Sequence, residues 1–317
     1  MVRINRLVKI IYPILFVVLM IFSLTGCNKS GEKEEVEVDV TQASNDDTRS
    51  SEPVCLVPSA TGETVLGEGD ISIDASNSSE GYLYVKYSGN NDDVKMQISC
   101  DGGITYTYKI LDGDTVIPLT QGDGEYQIVV YEGMGNGQYS VVLADEVAID
   151  VENEFGPYLY PNYYVDFTDE SNAVSIGQEL AKSCTCDLEV IGAVYDYVIA
   201  NIEYDHEEAQ TVATNYVPDI DEILETKKGI CFDYASLMAS MLRSQRIPTK
   251  LEIGYAGDAY HAWVTTYVQD IGWINGIIQF DGTDWTLMDP TFAANADAKT
   301  LKKFVGDGSN YTIKYEY

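Results

Sequence analysis

The order of hydrophobic periods along this chain predicts an α+β protein with an antiparallel β-sandwich ahead of a mixed helical and sheet domain. Three observations carry that reading. From Gly69 to about Val151 apolar residues recur with period two between turn-forming clusters. From Val174 the period lengthens to that of helices. After Pro248 it returns to that of strands. Helices first and an antiparallel sheet afterwards is an α+β order. The expected divisions are a signal segment at 1–26, a tether at 27–68, the sandwich at 69–152 and the second domain at 153–317.

Met1 to Gly26 reads as a targeting segment outside the fold. Arg3, Arg6 and Lys9 precede the almost uncharged apolar run Ile10 to Leu24, and Leu24-Thr25-Gly26-Cys27 closes it with small residues before a cysteine. This ending resembles the lipobox of bacterial lipoproteins. The resemblance implies lipidation of Cys27 and an extracytoplasmic protein anchored to the bacterial cell membrane. Loss of three positive charges with this segment takes the net charge from −32 to −35. Such acidity argues against nucleic acid and against anionic lipid as partners, because both would be repelled. Asn28 to about Pro58 is rich in Ser, Glu, Asp, Thr and Lys, lacks the apolar density to fold, and reads as the tether.

In the sandwich segment the expected strands are Ile71–Ile73, Tyr82–Tyr87, Val94–Ile98, Ile104–Tyr108, Tyr126–Tyr131 and Tyr139–Leu143. Gly, Asn and Asp clusters such as Gly89-Asn90-Asn91-Asp92 and Asp112-Gly113-Asp114 separate them. Six or seven short strands in this length suggest an immunoglobulin-like sandwich. Its many tyrosines suit a half-exposed sheet better than a dedicated sugar-binding face. A Pro- and Tyr-rich connector, Glu152 to Phe167, follows. One helix fits Val174, Gly177 and Leu180. A second fits Leu188, Ile191, Tyr195, Val198 and Ile202, with Asp187 as N-cap. A short helix at Ile220 to Glu225 leads into Gly229-Ile230-Cys231.

That last stretch organises the chain. Gly229 reads as a sharp turn that sets Cys231 on the first turn of a helix, with Cys231, Ala235, Met238 and Leu242 along its apolar face and Pro248 beyond its end. Unpaired N–H groups and the helix dipole at that position favour thiolate, against which the nearby Asp233 works. His261 opens the strand Tyr260 to Val268, and Asp289 ends the strand Trp285 to Met288. Neighbouring strands of a sheet packed on the helix would bring nucleophile, base and orienter together. A thiol needs an imidazole to take its proton, and the carboxylate fixes the imidazole tautomer. Attack on an amide or ester carbonyl then gives a thioester. The Cys231 N–H is one donor for the oxyanion. No second donor is evident.

At these residues the chain resembles the transglutaminase-like superfamily of papain-fold thiol enzymes. The matching stretches are Gly229 to Ala235, Arg246-Ile247-Pro248 with Ile253-Gly254-Tyr255, His261-Ala262-Trp263-Val264, and Met288-Asp289-Pro290-Thr291-Phe292. Upstream, Ile202-Glu203-Tyr204-Asp205 is similar to a marker found before the cysteine in bacterial members. The resemblance covers about residues 170–295. It implies a transglutaminase-like, papain-like C-terminal domain with a catalytic triad of Cys231, His261 and Asp289. Trp263 and Tyr260 are candidates for the substrate cleft. The expected substrates are peptide or protein amides, the cell wall being one source; the alternative is a non-catalytic binding module for protein or glycan on the same scaffold.

No cofactor is expected. Of six cysteines, Cys55, Cys100, Cys184 and Cys186 remain once Cys27 and Cys231 are assigned, and they allow three pairings. The C-x-C pair Cys184 and Cys186 lacks a second pair or a nearby histidine, so no metal site is expected. His206 reads as a surface residue. No loop has EF-hand spacing.

Overall fold

In the computed structural model the period-two segment folds as two antiparallel sheets. The structure describes residues 49–110, 113–256, 259–269, 271–275, 278–280, 285–287 and 311–317. One sheet contains β1 (Val65–Leu66), β2 (Ile71–Asp74), β3 (Tyr82–Tyr87) and β6 (Gly113–Pro118), in that spatial order. The other runs β5-β4-β7-β8, from β4 (Val94–Cys100), β5 (Tyr106–Ile110), β7 (Gly124–Gly135) and β8 (Gln138–Ile149). Alternation decides which side is buried. In β4, Val94, Met96, Ile98 and Cys100 are interior while Lys95, Gln97 and Ser99 are partly exposed. β6 was not expected, because Asp112-Gly113-Asp114 reads as a separator; it pairs along its whole length with β3.

The helices α1 (Asn172–Ala181), α2 (Asp187–Asn201), α4 (Ile220–Thr226) and α5 (Cys231–Ser244) lie where the sequence expects them, and the single turn α3 (Glu208–Thr211) is additional. Asp187 is not the cap of α2. That position belongs to Cys186, and Asp187 in the first turn accepts from Arg49 Nε at 2.7 Å. Two short parallel strands, β9 (Glu203–Tyr204) and β10 (Lys228–Gly229), lie ahead of α5.

α5 is buried around its whole circumference from Asp233 to Ser244, more than the single apolar face expected. Its serines make this tolerable by bonding to carbonyls, Ser236 to Tyr164 O at 2.6 Å and Ser240 to Ser236 O at 2.9 Å. Arg243 is also interior and donates to the carbonyls of Thr249, Tyr160 and Tyr317.

Beyond α5, β11 (Thr249–Ala256), β12 (Ala259–Val268) and β13 (Gly272–Asn275) form a sheet that the last strand, β16 (Tyr311–Glu316), completes on the far side of β11. β14 (Ile278–Phe280) and β15 (Trp285–Leu287) pair with each other. Among the described residues β15 is therefore not a ladder neighbour of β12, as the simplest placement of His261 and Asp289 had required. Several tyrosines are interior, among them Tyr106, Tyr108, Tyr126 and Tyr317. Tyr106, Tyr108, Tyr164 and Tyr317 meet at ring separations of 4.6–6.5 Å, and Tyr164 lies 5.1 Å from the Phe232 ring, next to the candidate nucleophile.

Candidate active site

The loop that carries Cys231 is held by the stretch before it. Glu203 N donates to Lys227 O at 2.8 Å and Asp205 N to Gly229 O at 2.9 Å, which sets Tyr204 opposite Gly229. The sharp turn falls at Lys227, with φ +56°, and not at Gly229. Gly229 is needed for a different reason: a Cβ there would stand 2.7 Å from the Asp233 Cβ. That close approach lets the Asp233 carboxylate accept from Ile230 N at 2.7 Å, closing the helix N-terminus. Its other oxygen accepts from Tyr216 OH at 2.7 Å. Burial pushes the Asp233 carboxyl up to about 6.

Cys231 is half-buried at the first position of α5. Its sulfur is within hydrogen-bonding reach of the Ala262 and Phe232 N–H groups and of the Tyr204 hydroxyl. Burial pushes its thiol up. The three donors act in the opposite sense without offsetting burial, and Asp233 adds to the rise. The expected preference for thiolate is thus reversed among the described groups, because desolvation outweighs the helix terminus. Tyr204 is raised to about 12, by burial first and then by the nearby sulfur.

His261 sits on β12 one residue before the N–H that meets the sulfur. It is 7% exposed, and burial holds its imidazole down at about 4. Trp263, at 4% exposure, lies with its ring tilted 29° from the imidazole plane at a centroid separation of 6.3 Å. Tyr260 is 59% exposed and packs edge-on against Tyr255 at 5.4 Å. The structure therefore brings Cys231 to the strand that bears His261, Trp263 and Tyr260. Asp289 and Cys27 lie outside the described residues. His206 is exposed, its ring 5.0 Å from Tyr204. Beside the Tyr216 ring an open cleft of about 410 Å³ is lined by Asp205, Glu207 and Glu208 among others.

Tyr204 is the site residue that sequence reasoning missed. Its only signal was its place in the marker before the cysteine; nothing in spacing alone ties it to the sulfur. Among the described residues no group of three or more His, Cys, Asp or Glu side chains is arranged to hold a metal ion.

Residues 174–276 match the model of the transglutaminase-like superfamily. The chain carries a transglutaminase-like domain. Two curated relatives are each 24% identical to it: the uncharacterized protein YebA of Bacillus subtilis over 192 residues, and the UPF0252 protein MJ1282 of Methanocaldococcus jannaschii over 183. They align with 52% and 51% of this chain, which spans 25% and 51% of their own lengths. Among solved structures, a Cytophaga hutchinsonii protein assigned as a cysteine protease aligns with 75% of this chain and 78% of its own. The identity is 13% and the TM-score 0.36. Red sea bream transglutaminase aligns with 66% of this chain and 48% of its own, at 14% identity and TM-score 0.25. The transglutaminase-like domain points to a thiol enzyme.

Proposed function

We propose that this chain is an extracytoplasmic thiol enzyme, anchored through lipidated Cys27, that opens peptide or protein amides through Cys231, His261 and Asp289. The observation that carries the reading is the Cys231 sulfur at the start of α5, set against the N–H of Ala262 beside His261, inside the stretch that matches the superfamily.

With the thiol raised and the imidazole lowered, the resting pair is neutral, and proton transfer accompanies attack. The imidazole of His261 takes the S–H proton as sulfur bonds to the carbonyl carbon. The carbonyl π pair moves onto oxygen. Collapse of that tetrahedral intermediate breaks the C–N bond, and the departing amine takes the proton from the imidazolium. Water or a second amine then attacks the thioester and restores the thiol. The Cys231 N–H and the Tyr204 hydroxyl, which meet beside the sulfur, are the candidate donors to the oxyanion. An Asp289 carboxylate beside the imidazole would raise it towards a useful base strength. The two four-stranded sheets ahead of this domain read as a sandwich that supports it.

The neutral resting pair also suits the second reading, a binding module that keeps the scaffold without turnover. Mass spectrometry after mixing with p-nitrophenyl acetate separates the two. The enzyme reading expects an acetyl group on Cys231, absent in Cys231→Ala, slowed in His261→Ala, and discharged faster when a primary amine is added if transfer competes with hydrolysis. A wild-type chain that forms no acyl-enzyme, or forms it equally without His261, would leave the binding module.

A further inference from the structure

Glu252 lies in the middle of β11, 2% exposed, directly opposite Trp263 on β12 and Glu316 on β16. Its Oε2 accepts from the Trp263 indole N–H and from Thr265 Oγ1, the latter at 2.8 Å. Strand alternation puts Trp263, Thr265 and His261 on one face of β12, and the Trp263 ring lies alongside the imidazole. The other charged and titratable groups nearby come from each flanking element. Lys250, two residues along β11, pairs with Glu316 Oε2 at 3.1 Å and lies over the Tyr158 and Trp273 rings. The Tyr158 hydroxyl donates to that same Glu316 oxygen at 3.3 Å. Lys250 is thus engaged by Glu316, and the bonds Glu252 accepts come from two neutral donors.

A buried carboxyl in a central strand is costly, and packing alone would be served better by an aliphatic side chain. What an aliphatic residue could not do is hold the indole N–H. We propose that Glu252 is a positioning residue, which locks the Trp263 ring and through it the plane of the His261 imidazole. This rests on the reading of His261 as the base for Cys231. A planar indole bonded at one edge has little freedom to rotate, so the ring stacked on it is confined as well. Proton transfer between sulfur and nitrogen is sensitive to that orientation.

The test compares full-length wild type, Glu252→Gln and Glu252→Leu in two measurements. One is acylation of Cys231 by p-nitrophenyl acetate as a function of pH. The other is NMR titration of the imidazoles, for which the chain's two histidines suffice, exposed His206 acting as internal reference. Glu252→Leu should slow acylation roughly 10- to 100-fold, displace its pH profile and shift the His261 titration while leaving that of His206 in place. Glu252→Gln keeps an acceptor for the indole and should restore most of the rate. If Glu252→Leu does not fold, Trp263→Phe removes the N–H while keeping a ring, and the same displacement is expected. A folded Glu252→Leu or Trp263→Phe with wild-type His261 titration and pH profile would overturn the proposal. Failure of the enzyme reading is distinct: wild type would show no His261-dependent acylation, while the titration still reports whether Glu252 governs the imidazole.

Discussion

Acidification from pH 7 to pH 4 should remove a stabilising contribution that His261 makes while neutral. In the unfolded chain its imidazole titrates near its ordinary value of about 6.5, and in the folded chain at about 4. Between these values the unfolded state binds the proton and the folded state does not, so stability falls as the pH falls. A separation of about 2.5 units corresponds to about 3 kcal/mol, fully present above the unfolded value and lost as pH falls towards the folded one. Two other buried groups act with the opposite sign. Asp233, raised to about 6, and Glu252, raised to about 7, hold protons that their unfolded counterparts have released, so both favour the folded state as pH falls. The raw curve of the wild type therefore mixes several contributions, and the difference between wild type and His261→Gln isolates one. Urea unfolding at steps from pH 4 to pH 8 should show this difference shrinking by about 3 kcal/mol towards the acid end. The same pair compared in an Asp289→Asn background removes any carboxylate that raises the imidazole. A flat difference in both backgrounds would refute the claim that burial governs His261.

Other outcomes follow from single contacts. Tyr204→Phe removes the hydroxyl at the Cys231 sulfur. It should raise the thiol further and slow acylation by roughly 100-fold if the hydroxyl also serves the oxyanion, read from alkylation and acylation rates against pH. Arg243→Met removes the guanidinium donors to the carbonyls of Thr249, Tyr160 and Tyr317, of which Tyr317 O keeps Leu251 N at 2.8 Å. It should cost about 3 kcal/mol or more in denaturant unfolding. Gly254→Ala would set a Cβ 2.0 Å from Thr312 O. That should displace β16 and lower the melting temperature by several degrees, about 1–3 kcal/mol of strain, seen by differential scanning calorimetry.

Much of the fold was legible because period decides it. β3 and β4 show the expected alternation of burial and α2 follows the spacing of its apolar residues, whereas α5 is buried all round instead of along one face. What escaped depends on partners distant in sequence. β6 hides behind Asp112-Gly113-Asp114, and only its pairing with β3 makes it a strand. Gly229 looked like a turn, whereas its role is set by the Asp233 Cβ across the first turn of the helix. The flanks of Cys231 and His261 single them out as candidates, but the electrostatics around them could not be read from sequence. A cysteine at a helix N-terminus reads as activated until the packing of β12 and Tyr204 over it is known, and that packing makes desolvation the larger effect. Tyr204 likewise gains meaning only from the parallel pairing of β9 with β10.

The last strand shows why the earlier sheets matter to the site. Glu316 N donates to Tyr106 OH, and Thr120 Oγ1 donates to Glu316 O at 3.1 Å, so β16 is tied to the sheet of β5 and to the loop after β6. On its other side β16 pairs with β11, with its register shifted between Ile253 and Gly254, opposite the start of β12 where His261 lies. Tyr317 adds a carbonyl to Arg243 in α5 and a ring to the cluster of Tyr106, Tyr108 and Tyr164. That cluster reaches Phe232, the neighbour of Cys231. The helix that carries Cys231 and, through β16 and β11, the sheet that carries His261 are thus tied to one aromatic assembly, to which the first sheet system contributes two tyrosines. Loosening that assembly should move sulfur and imidazole relative to each other before it unfolds either element, since each element keeps its own backbone ladder.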